Sequence, residues 1–337
     1  MAFQFVTGSG WFKKMNQSLD GKIIIEKWKR RVFTVVSLLI NDVQWQNIQY
    51  KKTYGKKLML ENPVTMPEKI LYLKLFYQNP LLHVCVDKYF VRDYINMKGY
   101  GNILIPEIAI YNHAFEINFD DLPDKFVLKC TQGSGGNLIV DKKSPSYAPQ
   151  KIKKYFAELL KNDYYKVSRE FGYKGLKPRI LCQQFLNNGN DSPLADYKFY
   201  CFNGELRYYM VSYGEYNHDV RNHKFDANNE SIDYIFKKTP TLERAEVSLP
   251  SNIEEMKSIA EELSKPFPHV RVDLFNIDGK IYFGELTFYS NGGFIQIHNK
   301  EAERDMGKWI PLKKYKDDMV FNKHTLRYKS AIVDTKC

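Results

Sequence analysis

Residues 270–294 read VRVDLFNIDGKIYFGELTFYSNGGF, and this stretch decides the fold because two runs rich in alternating apolar residues flank Asp278-Gly279. Asp-Gly between such runs is a strong β-hairpin signal. A three-residue loop over 277–279, with Gly279 left-handed, gives the one register that keeps Glu285 out of the apolar face. One face is then apolar, with Val272, Leu274, Tyr282, Leu286 and Phe288. The other carries Phe275 and Phe283 beside four polar side chains, Arg271, Asp273, Glu285 and Thr287.

The polar face of this hairpin allows two interpretations. The register predicts two carboxylates lying diagonally across neighbouring strands, roughly 5–8 Å apart. Like charges so placed repel unless a cation lies between them, and hard oxygen ligands are what Mg²⁺ takes when it also carries nucleotide phosphates. The other interpretation is a solvated hairpin face closed by an Arg271–Asp273 salt bridge.

Length and composition indicate a globular intracellular chain. The 337 residues suffice for two or three layered subdomains, and 44% of them are hydrophobic. The five cysteines are odd in number and widely spaced, without zinc or redox spacing, which favours a reducing cytosol. We therefore expect a cytoplasmic protein.

The formal net charge of +11 predicts anionic partners, among which charge alone cannot choose. Nucleic acid is not expected, because the basic residues are spread along the chain and form no recognisable nucleic-acid-binding motif. The longest apolar run, residues 32–40, is about half of the ~20 residues needed to cross a bilayer. It is preceded by four basic residues, Lys27, Lys29, Arg30 and Arg31. The segment is therefore interpreted either as a helix touching the inner face of the cell membrane or as an ordinary packing helix.

The order of helical and strand patterns predicts an α+β or α/β architecture. We expect a helical N-terminal region over 1–83, a segment over 84–123, a subdomain with a glycine-rich loop over 124–182, a core with the hairpin over 183–312, and a tail over 313–337. Helices are expected at 67–76, 87–95, 151–165 and 253–264. Strands are expected at 103–107, 126–130, 138–141, 179–186, 197–202 and 206–213, with a polar segment at 214–252.

Two further motifs carry candidate chemistry. The loop at 129–137, KCTQGSGGN, lies between two strands, and its glycines let backbone N–H groups approach phosphate oxygens, although a plain turn also explains it. Strand alternation places Asp196 and Lys198 on one face, as a ribose acceptor beside a phosphate cation or as a surface ion pair. His113, His218, His223, His269 and His298 lack ligand partners at metal spacing.

In order along the chain, these motifs resemble the ATP-grasp superfamily. They are Asp87-Lys88 with Arg92, Lys129 before Ser134-Gly135-Gly136, Gln183-Gln184-Phe185-Leu186, Asp196-Tyr197-Lys198, and Arg271-Val272-Asp273 with Glu285-Leu286-Thr287. Three stretches look more narrowly like its teichuronopeptide-biosynthesis (TupA-like) branch, a group tied to bacterial surface polysaccharides: 126–136, 196–205 and 283–293. The resemblance runs from about residue 50 to about residue 312.

The resemblance implies an ATP-grasp fold, in which two α+β subdomains sandwich ATP. The phosphates would lie under Ser134, Gly135 and Gly136, with adenine against the strand of Gln183, Gln184 and Leu186. The implied phosphate cations are Lys88, Arg92, Lys129 and Lys198, and Asp196 would contact the ribose. Asp273, Glu285 and Thr287 would hold Mg²⁺, while Arg271 and Lys198 would be the catalytic cations.

The chain departs from the superfamily at two positions. Gln183 stands where Glu is more usual. Thr287 stands where Asn is usual, which leaves open whether one or two metal ions bind.

The implied activity is an amide ligase joining an amino acid or amine to a uronic acid of a capsule or cell-wall glycan. A kinase acting on a sugar, and a glycosyltransferase or polysaccharide-binding module, are the alternatives. Arg221, His223 and Lys224, Asn291, Gly292 and Gly293, and His298 are candidates for the acceptor pocket or ordinary loop.

Overall fold

The computed structural model describes residues 18–189, 194–214, 220–232, 235–236 and 242–333. The described residues form two compact units. Unit one contains residues 18–56, 80–92 and 105–186, and unit two contains 57–79, 93–104 and the described residues from 187 onward. These boundaries differ from the five sequence segments, because the chain contributes separate pieces to each unit and the predicted boundary at 182/183 falls inside a strand.

Unit one is built on an antiparallel sheet of order β1-β4-β2-β3. Its strands are β1 (Glu107–Tyr111), β2 (Lys125–Cys130), β3 (Asn137–Asp141) and β4 (Ile180–Gln184). One sheet face forms a buried core with helix α6 (Pro149–Leu159), in which Phe126, Leu128 and Cys182 pack with Phe156. Because strand side chains alternate, Lys129 and Gln183 lie on the other face.

The other helices of unit one are α1 (Leu19–Leu39), α2 (Asp42–Tyr54), α4 (Leu81–Cys85) and α7 (Tyr164–Ser168). Ser18 caps α1 by accepting a hydrogen bond from the Gly21 amide. A capping box of Asn41 and Gln44 begins α2, which ends at left-handed Gly55. The predicted helical N-terminal region is confirmed. Among the described residues, no helix has the length and apolar character that spanning a bilayer requires.

Unit two is built on a five-stranded antiparallel sheet of order β7-β6-β5-β8-β9. Its strands are β5 (Asp196–Phe202), β6 (Glu205–Tyr213), β7 (Arg221–Asp226), β8 (His269–Ile277) and β9 (Lys280–Thr287). Helix α8 (Ile253–Ser264) packs against β5, β6 and β8. Helices α3 (Met66–Phe76) and α9 (Lys300–Gly307) also lie in this unit, and α5 (Val91–Met97) has its first two residues in unit one.

The turn of the β8–β9 hairpin differs from the three-residue loop expected from the sequence. Ile277 pairs with Lys280, so the loop is the two residues Asp278 and Gly279, both with positive φ. The register shift occurs instead at a β-bulge opposite Asp273, where Gly284 is the extra residue. The bulge puts Asp273 and Glu285 on one face, as predicted, but makes them direct strand partners where a diagonal arrangement was expected, and it exchanges the predicted faces of two nearby residues.

The exchanged residues are Tyr282 and Phe283. Tyr282 pairs with Phe275 and therefore shares the polar face, whereas Phe283 pairs with Leu274 and is buried on the apolar face. The sequence placed them the other way round, because it attributed the shift to the turn.

Other helices and strands also differ from those expected from the sequence. The strand expected at 103–107 is wrong: β1 begins at Glu107, after Pro106, whose carbonyl accepts from the Gln184 amide. The expected helix at 87–95 begins at Val91, because Asp87 accepts from the amides of Tyr89 and Phe90 in a turn. The helix expected at 151–165 is two helices, α6 and α7. The polar segment 214–252 contains strand β7.

Candidate functional site

A row of side chains crosses the whole unit-two sheet on one face. Strand pairing brings Lys224 opposite Met210, Met210 opposite Lys198, Lys198 opposite Asp273, and Asp273 opposite Glu285. Paired residues in neighbouring strands point to the same side of a sheet. Two cations predicted from separate stretches of sequence thus share a face with both predicted metal-binding carboxylates.

Arg271 joins the carboxylates on this face. Its Nε lies 2.6 Å from Asp273 Oδ1 and its Nη2 lies 2.5 Å from Asp273 Oδ2, a bidentate pair. The same Nη2 lies 3.2 Å from Glu285 Oε1 and 3.0 Å from Thr287 Oγ1. Thr287 also donates to Glu285 Oε1 at 2.9 Å. The four residues of the hairpin face therefore form one hydrogen-bonded network.

Burial governs the electrostatics of the network. Asp273 is 4% exposed, and this burial raises the pKa of its carboxyl to about 7, against the opposing effect of the Arg271 charge. The neighbouring carboxylates hold the pKa of Arg271 above its ordinary value, so the guanidinium stays charged. Glu285 has a side chain 40% exposed. One carboxylate is thus enclosed, and the other is open to solvent.

A second row lies beside the first. Asp196 forms an ion pair with Lys198, and Asp196 is the strand partner of Ser212, itself the partner of Asn222. Asn222 accepts from Lys224 Nζ at 2.9 Å. The buried hydroxyl of Ser212 has no hydrogen-bond partner among the residues that the structure describes. This row offers polar groups next to the cations.

In unit one, the glycine-rich loop over 131–136 is shaped by its glycines. Gly133 and Gly135 have φ of 79° and 82°, in the left-handed region that favours glycine. A Cβ at Gly133 would lie 2.6 Å from the Tyr164 ring, whereas one at Gly135 would meet nothing within 4 Å. Ser134 Oγ lies 3.1 Å from Tyr164 Oη. Lys88 Nζ donates to the Gly133 carbonyl at 2.6 Å, so a predicted phosphate cation is held at the loop.

The remaining predicted nucleotide contacts of unit one lie on or near β4. Lys129 is the strand partner of Leu181, and Gln183 is the next residue but one, so Lys129 and Gln183 share the sheet face opposite the core. Gln184 points the other way and is exposed, and Leu186 follows the strand and is half-buried. Arg92 donates to the Ile105 carbonyl at 2.9 Å and lies 3.4 Å from Glu107.

The donor set on the hairpin fits magnesium. Asp273 and Glu285 supply carboxylate oxygens and Thr287 supplies a hydroxyl, which are hard ligands. Arg271 uses both oxygens of Asp273, but each oxygen has a second lone pair. Within the described ranges, no group of three or more His, Cys, Asp and Glu side chains could hold a metal ion. A site with two carboxylates suits Mg²⁺, which keeps several waters and binds substrate phosphates.

Some residues of the two rows were not assigned to the site from the sequence. Lys224 was a candidate for the acceptor pocket, yet its strand places it in the row of Lys198 and Asp273. Residues 221–226 contain one apolar residue, Phe225, so no alternation of apolar and polar residues revealed this strand. Ser212 and Asn222 were not singled out at all. His223 and His269 are buried, with Nδ1 atoms near the carbonyls of Leu242 and Cys201. His218 lies outside the described residues.

A family comparison identifies the chain as an ATP-grasp protein. A profile of the TupA-like ATP-grasp family matches residues 68–311. The protein belongs to this family, so the family and fold predicted from the motifs are confirmed. No curated protein matches the chain in sequence.

Solved structures similar to this chain include two ligases and a synthetase. D-alanine–D-alanine ligase from Bacillus anthracis is 17% identical, with 70% of each chain covered and a TM-score of 0.40. The ATP-grasp ligase PsnB with its minimal precursor is 11% identical, with 63% of this chain and 55% of PsnB covered and a TM-score of 0.37. The ADP complex of PurK, N5-carboxyaminoimidazole ribonucleotide synthetase, is 14% identical, with 62% and 46% covered and a TM-score of 0.36. The match spans about half the length of the last two.

Proposed function

We propose that this protein is an ATP- and Mg²⁺-dependent ligase that joins a carboxylate to an amine through an acyl phosphate. The observation that carries the proposal is the network of Arg271, Asp273, Glu285 and Thr287 beside Lys198. It combines hard-oxygen metal ligands with cations on one sheet face, which is what phosphoryl transfer requires. Membership of the TupA-like ATP-grasp family supports the same reading.

The proposed nucleotide contacts are the ones that the sequence resemblance implies, taken in each unit by itself. In unit one, the loop of Ser134, Gly135 and Gly136 would bind phosphates through backbone N–H groups, with Lys88, Arg92 and Lys129 as cations. Gln183, Gln184 and Leu186 would contact the adenine. In unit two, Asp196 would accept from a ribose hydroxyl, and the unsatisfied Ser212 hydroxyl beside it supports a polar ligand there.

Asp273, Glu285 and Thr287 would hold magnesium, which supplies charge neutralisation for the phosphates. In the first step, a carboxylate oxygen of the acceptor attacks the γ-phosphorus, the bond to the β,γ-bridging oxygen breaks, and ADP leaves. In the second, the amine nitrogen attacks the acyl carbon, phosphate leaves with the C–O electron pair, and the nitrogen loses a proton. Arg271 and Lys198 would stabilise the negative charge on the acyl phosphate and the tetrahedral intermediate.

We propose a uronic acid of a capsular or cell-wall polysaccharide as the acceptor, with an amino acid or amine as the second substrate. The net charge of +11 favours an anionic acceptor. The resemblance of the sequence to the branch tied to bacterial surface polysaccharides supports the same substrate class.

The test is ADP and phosphate release by the purified protein with MgATP, a panel of uronic acids and a panel of amines. Phosphate release that requires both an acid and an amine, with an amide detected by mass spectrometry, is the expected result. Glu285→Gln should lower the rate by about 100-fold, the usual effect of removing one transition-state electrostatic group. Glu255→Gln, at an exposed position of α8, is the matched control and should leave the rate unchanged.

Two outcomes would contradict the proposal. A phosphorylated sugar formed at the same rate without any amine would identify a kinase. Failure to bind MgATP, together with unchanged polysaccharide binding by Glu285→Gln, would identify a sugar-binding protein or a glycosyltransferase.

A further inference from the structure

Helix α1 of unit one has a stripe of exposed residues along its outward side. The inward side is fixed by buried Ile25, Glu26 and Phe33, and by Arg30, which lies 3.0 Å from Glu158 of α6. Residues three and four apart share a helix face. The outward stripe therefore runs through five exposed residues, Ile24, Lys27, Arg31, Val35 and Leu38.

The apolar members of the stripe are strongly exposed, and they concentrate at its end. Val35 is 55% exposed, Leu38 is 80% exposed, and the adjacent Leu39 is 76% exposed. From Ile24 to Leu38 the stripe is on the order of 20 Å long, at the rise of an α-helix. Large aliphatic side chains exposed in sequence on one helix mark a surface that contacts something apolar.

The helical region at residues 18–56 carries a net positive charge. Residues 18–56 contain eight basic and three acidic residues. Each acid has a basic partner inside unit one: Asp20 with Lys151, Glu26 with Lys29, and Asp42 with Arg169. Of the four basic residues at 27–31, Lys29 and Arg30 therefore form ion pairs. Lys27 and Arg31 remain exposed on the outward stripe. Residues 1–17 add two lysines and no acidic residue to the sequence.

We propose that the outward stripe of α1 docks the protein on an anionic lipid bilayer, with the helix lying along the surface. Aliphatic side chains interleaved with Lys and Arg are the chemistry that such a surface recognises, because the aliphatic groups enter the acyl boundary while the cations meet lipid phosphates. Val35, Leu38 and Leu39 insert, and Lys27 and Arg31 bind headgroups. None of the stripe residues is among the proposed nucleotide contacts.

The test is co-sedimentation of the full-length protein with vesicles, without nucleotide. We expect binding to equimolar phosphatidylcholine and phosphatidylglycerol that weakens with salt, and little binding to phosphatidylcholine alone. Leu38→Ser/Leu39→Ser should weaken binding by at least about tenfold, since each leucine loses its apolar transfer. Lys27→Gln/Arg31→Gln should weaken it on the order of twentyfold, from about fivefold per charge.

Matched variants on unit two separate the stripe from general charge and hydrophobicity. Lys323→Gln/Lys329→Gln removes two exposed cations elsewhere, and Val320→Ser/Leu326→Ser removes two exposed aliphatic side chains. Both controls should bind vesicles like the unmodified protein. Circular dichroism and the thermal midpoint should be unchanged in every variant except for small effects, because the substituted residues are exposed.

Any of the following results would overturn the proposal. They are absence of binding to the anionic vesicles, equal binding to both vesicle types, equal effects of stripe and control variants, and a change in oligomeric state on Leu38→Ser/Leu39→Ser. The last would show that a second copy of the chain covers the stripe. A lowered thermal midpoint in the same variant would likewise overturn it, because another part of the chain would then bury these leucines.

Discussion

Gly284 sets the register of the site, and its replacement by alanine is the sharpest test of that conclusion. A Cβ on Gly284 would lie 2.9 Å from the Asp273 carbonyl oxygen and 3.2 Å from the Phe275 ring. The first contact is with backbone, which cannot move aside as a side-chain end can. We expect Gly284→Ala to destabilise the protein by about 1–3 kcal/mol, the usual cost of overpacking. Because the bulge brings Glu285 opposite Asp273, the variant should also lose affinity for MgATP.

The assay is thermal unfolding with and without saturating MgATP. A ligand at ~100 times its dissociation constant stabilises by ~2.7 kcal/mol, a shift of several degrees. Gly279→Ala is the matched control, because its φ of +84° costs about 1–2 kcal/mol while its Cβ would touch nothing within 4 Å. Both variants should lower the midpoint, but only Gly284→Ala should lose the MgATP shift. A Gly284→Ala protein with unchanged midpoint and an intact shift would refute the assignment of the bulge.

Two further predictions concern pH and the glycine-rich loop. Burial lowers the pKa of His269 from 6.5 to about 4, so the unfolded chain takes up a proton that the folded protein does not. As the pH is lowered from 6.5 towards 4, the free energy of unfolding should therefore fall by about 3 kcal/mol. In His269→Gln this titration is removed, so the measured free energy of unfolding should depend less on pH in that interval. Lys88→Met removes the donor to a loop carbonyl and one proposed phosphate cation, and calorimetry should show ATP affinity about tenfold weaker with little change in midpoint. The matched controls are exposed residues of the same types, His113 and Lys177.

Local patterns in the sequence predicted most of the elements of the sheets. The helix predicted at 253–264 coincides with α8, and the strands of the glycine-rich hairpin coincide with β2 and β3 to within a residue at each end. The shared face of Asp273 and Glu285 was also predicted correctly, because the sequence pattern keeps Glu285 off the apolar face, although the two residues are direct strand partners and not diagonal neighbours. A hydrophobic pattern specifies which residues share a face of the sheet. It constrains the residues of the candidate site more strongly than the residues next to the turn.

The errors came from backbone features that side-chain patterns do not encode. The sequence located one extra residue in the turn, whereas a bulge at Gly284 supplies it, and either device satisfies the same alternation. Strand β1 was displaced because Pro106 was counted inside it, although proline cannot donate to a ladder. Strand β7 was missed because its own residues, 221–226, contain only one apolar residue. Helix α2 was not singled out, yet Asn41, Gln44 and Gly55 carried its capping signals.

The sequence allowed two interpretations of the polar hairpin face, a salt bridge or a metal site. They make opposite predictions for how removal of Arg271 changes Mg²⁺ binding. Coulomb repulsion alone says that removing a cation beside Asp273 should improve Mg²⁺ binding. The structure adds a second effect, because Arg271 holds Asp273 at two points and reaches both Glu285 and Thr287, so it orients all three oxygen donors. Carboxylates held in place bind a metal without further ordering cost.

We judge orientation to be the larger effect, because Asp273 is buried and without Arg271 its carboxyl would protonate rather than remain charged in place. Arg271→Met should therefore weaken Mg²⁺ binding, and calorimetry with the metal alone measures this without catalysis. Arg207→Met, at a cation that pairs with Glu205 on β6, is the control and should bind Mg²⁺ as before. Tighter binding in Arg271→Met would mean that the guanidinium competes with the metal, and that the salt bridge excludes magnesium from the hairpin.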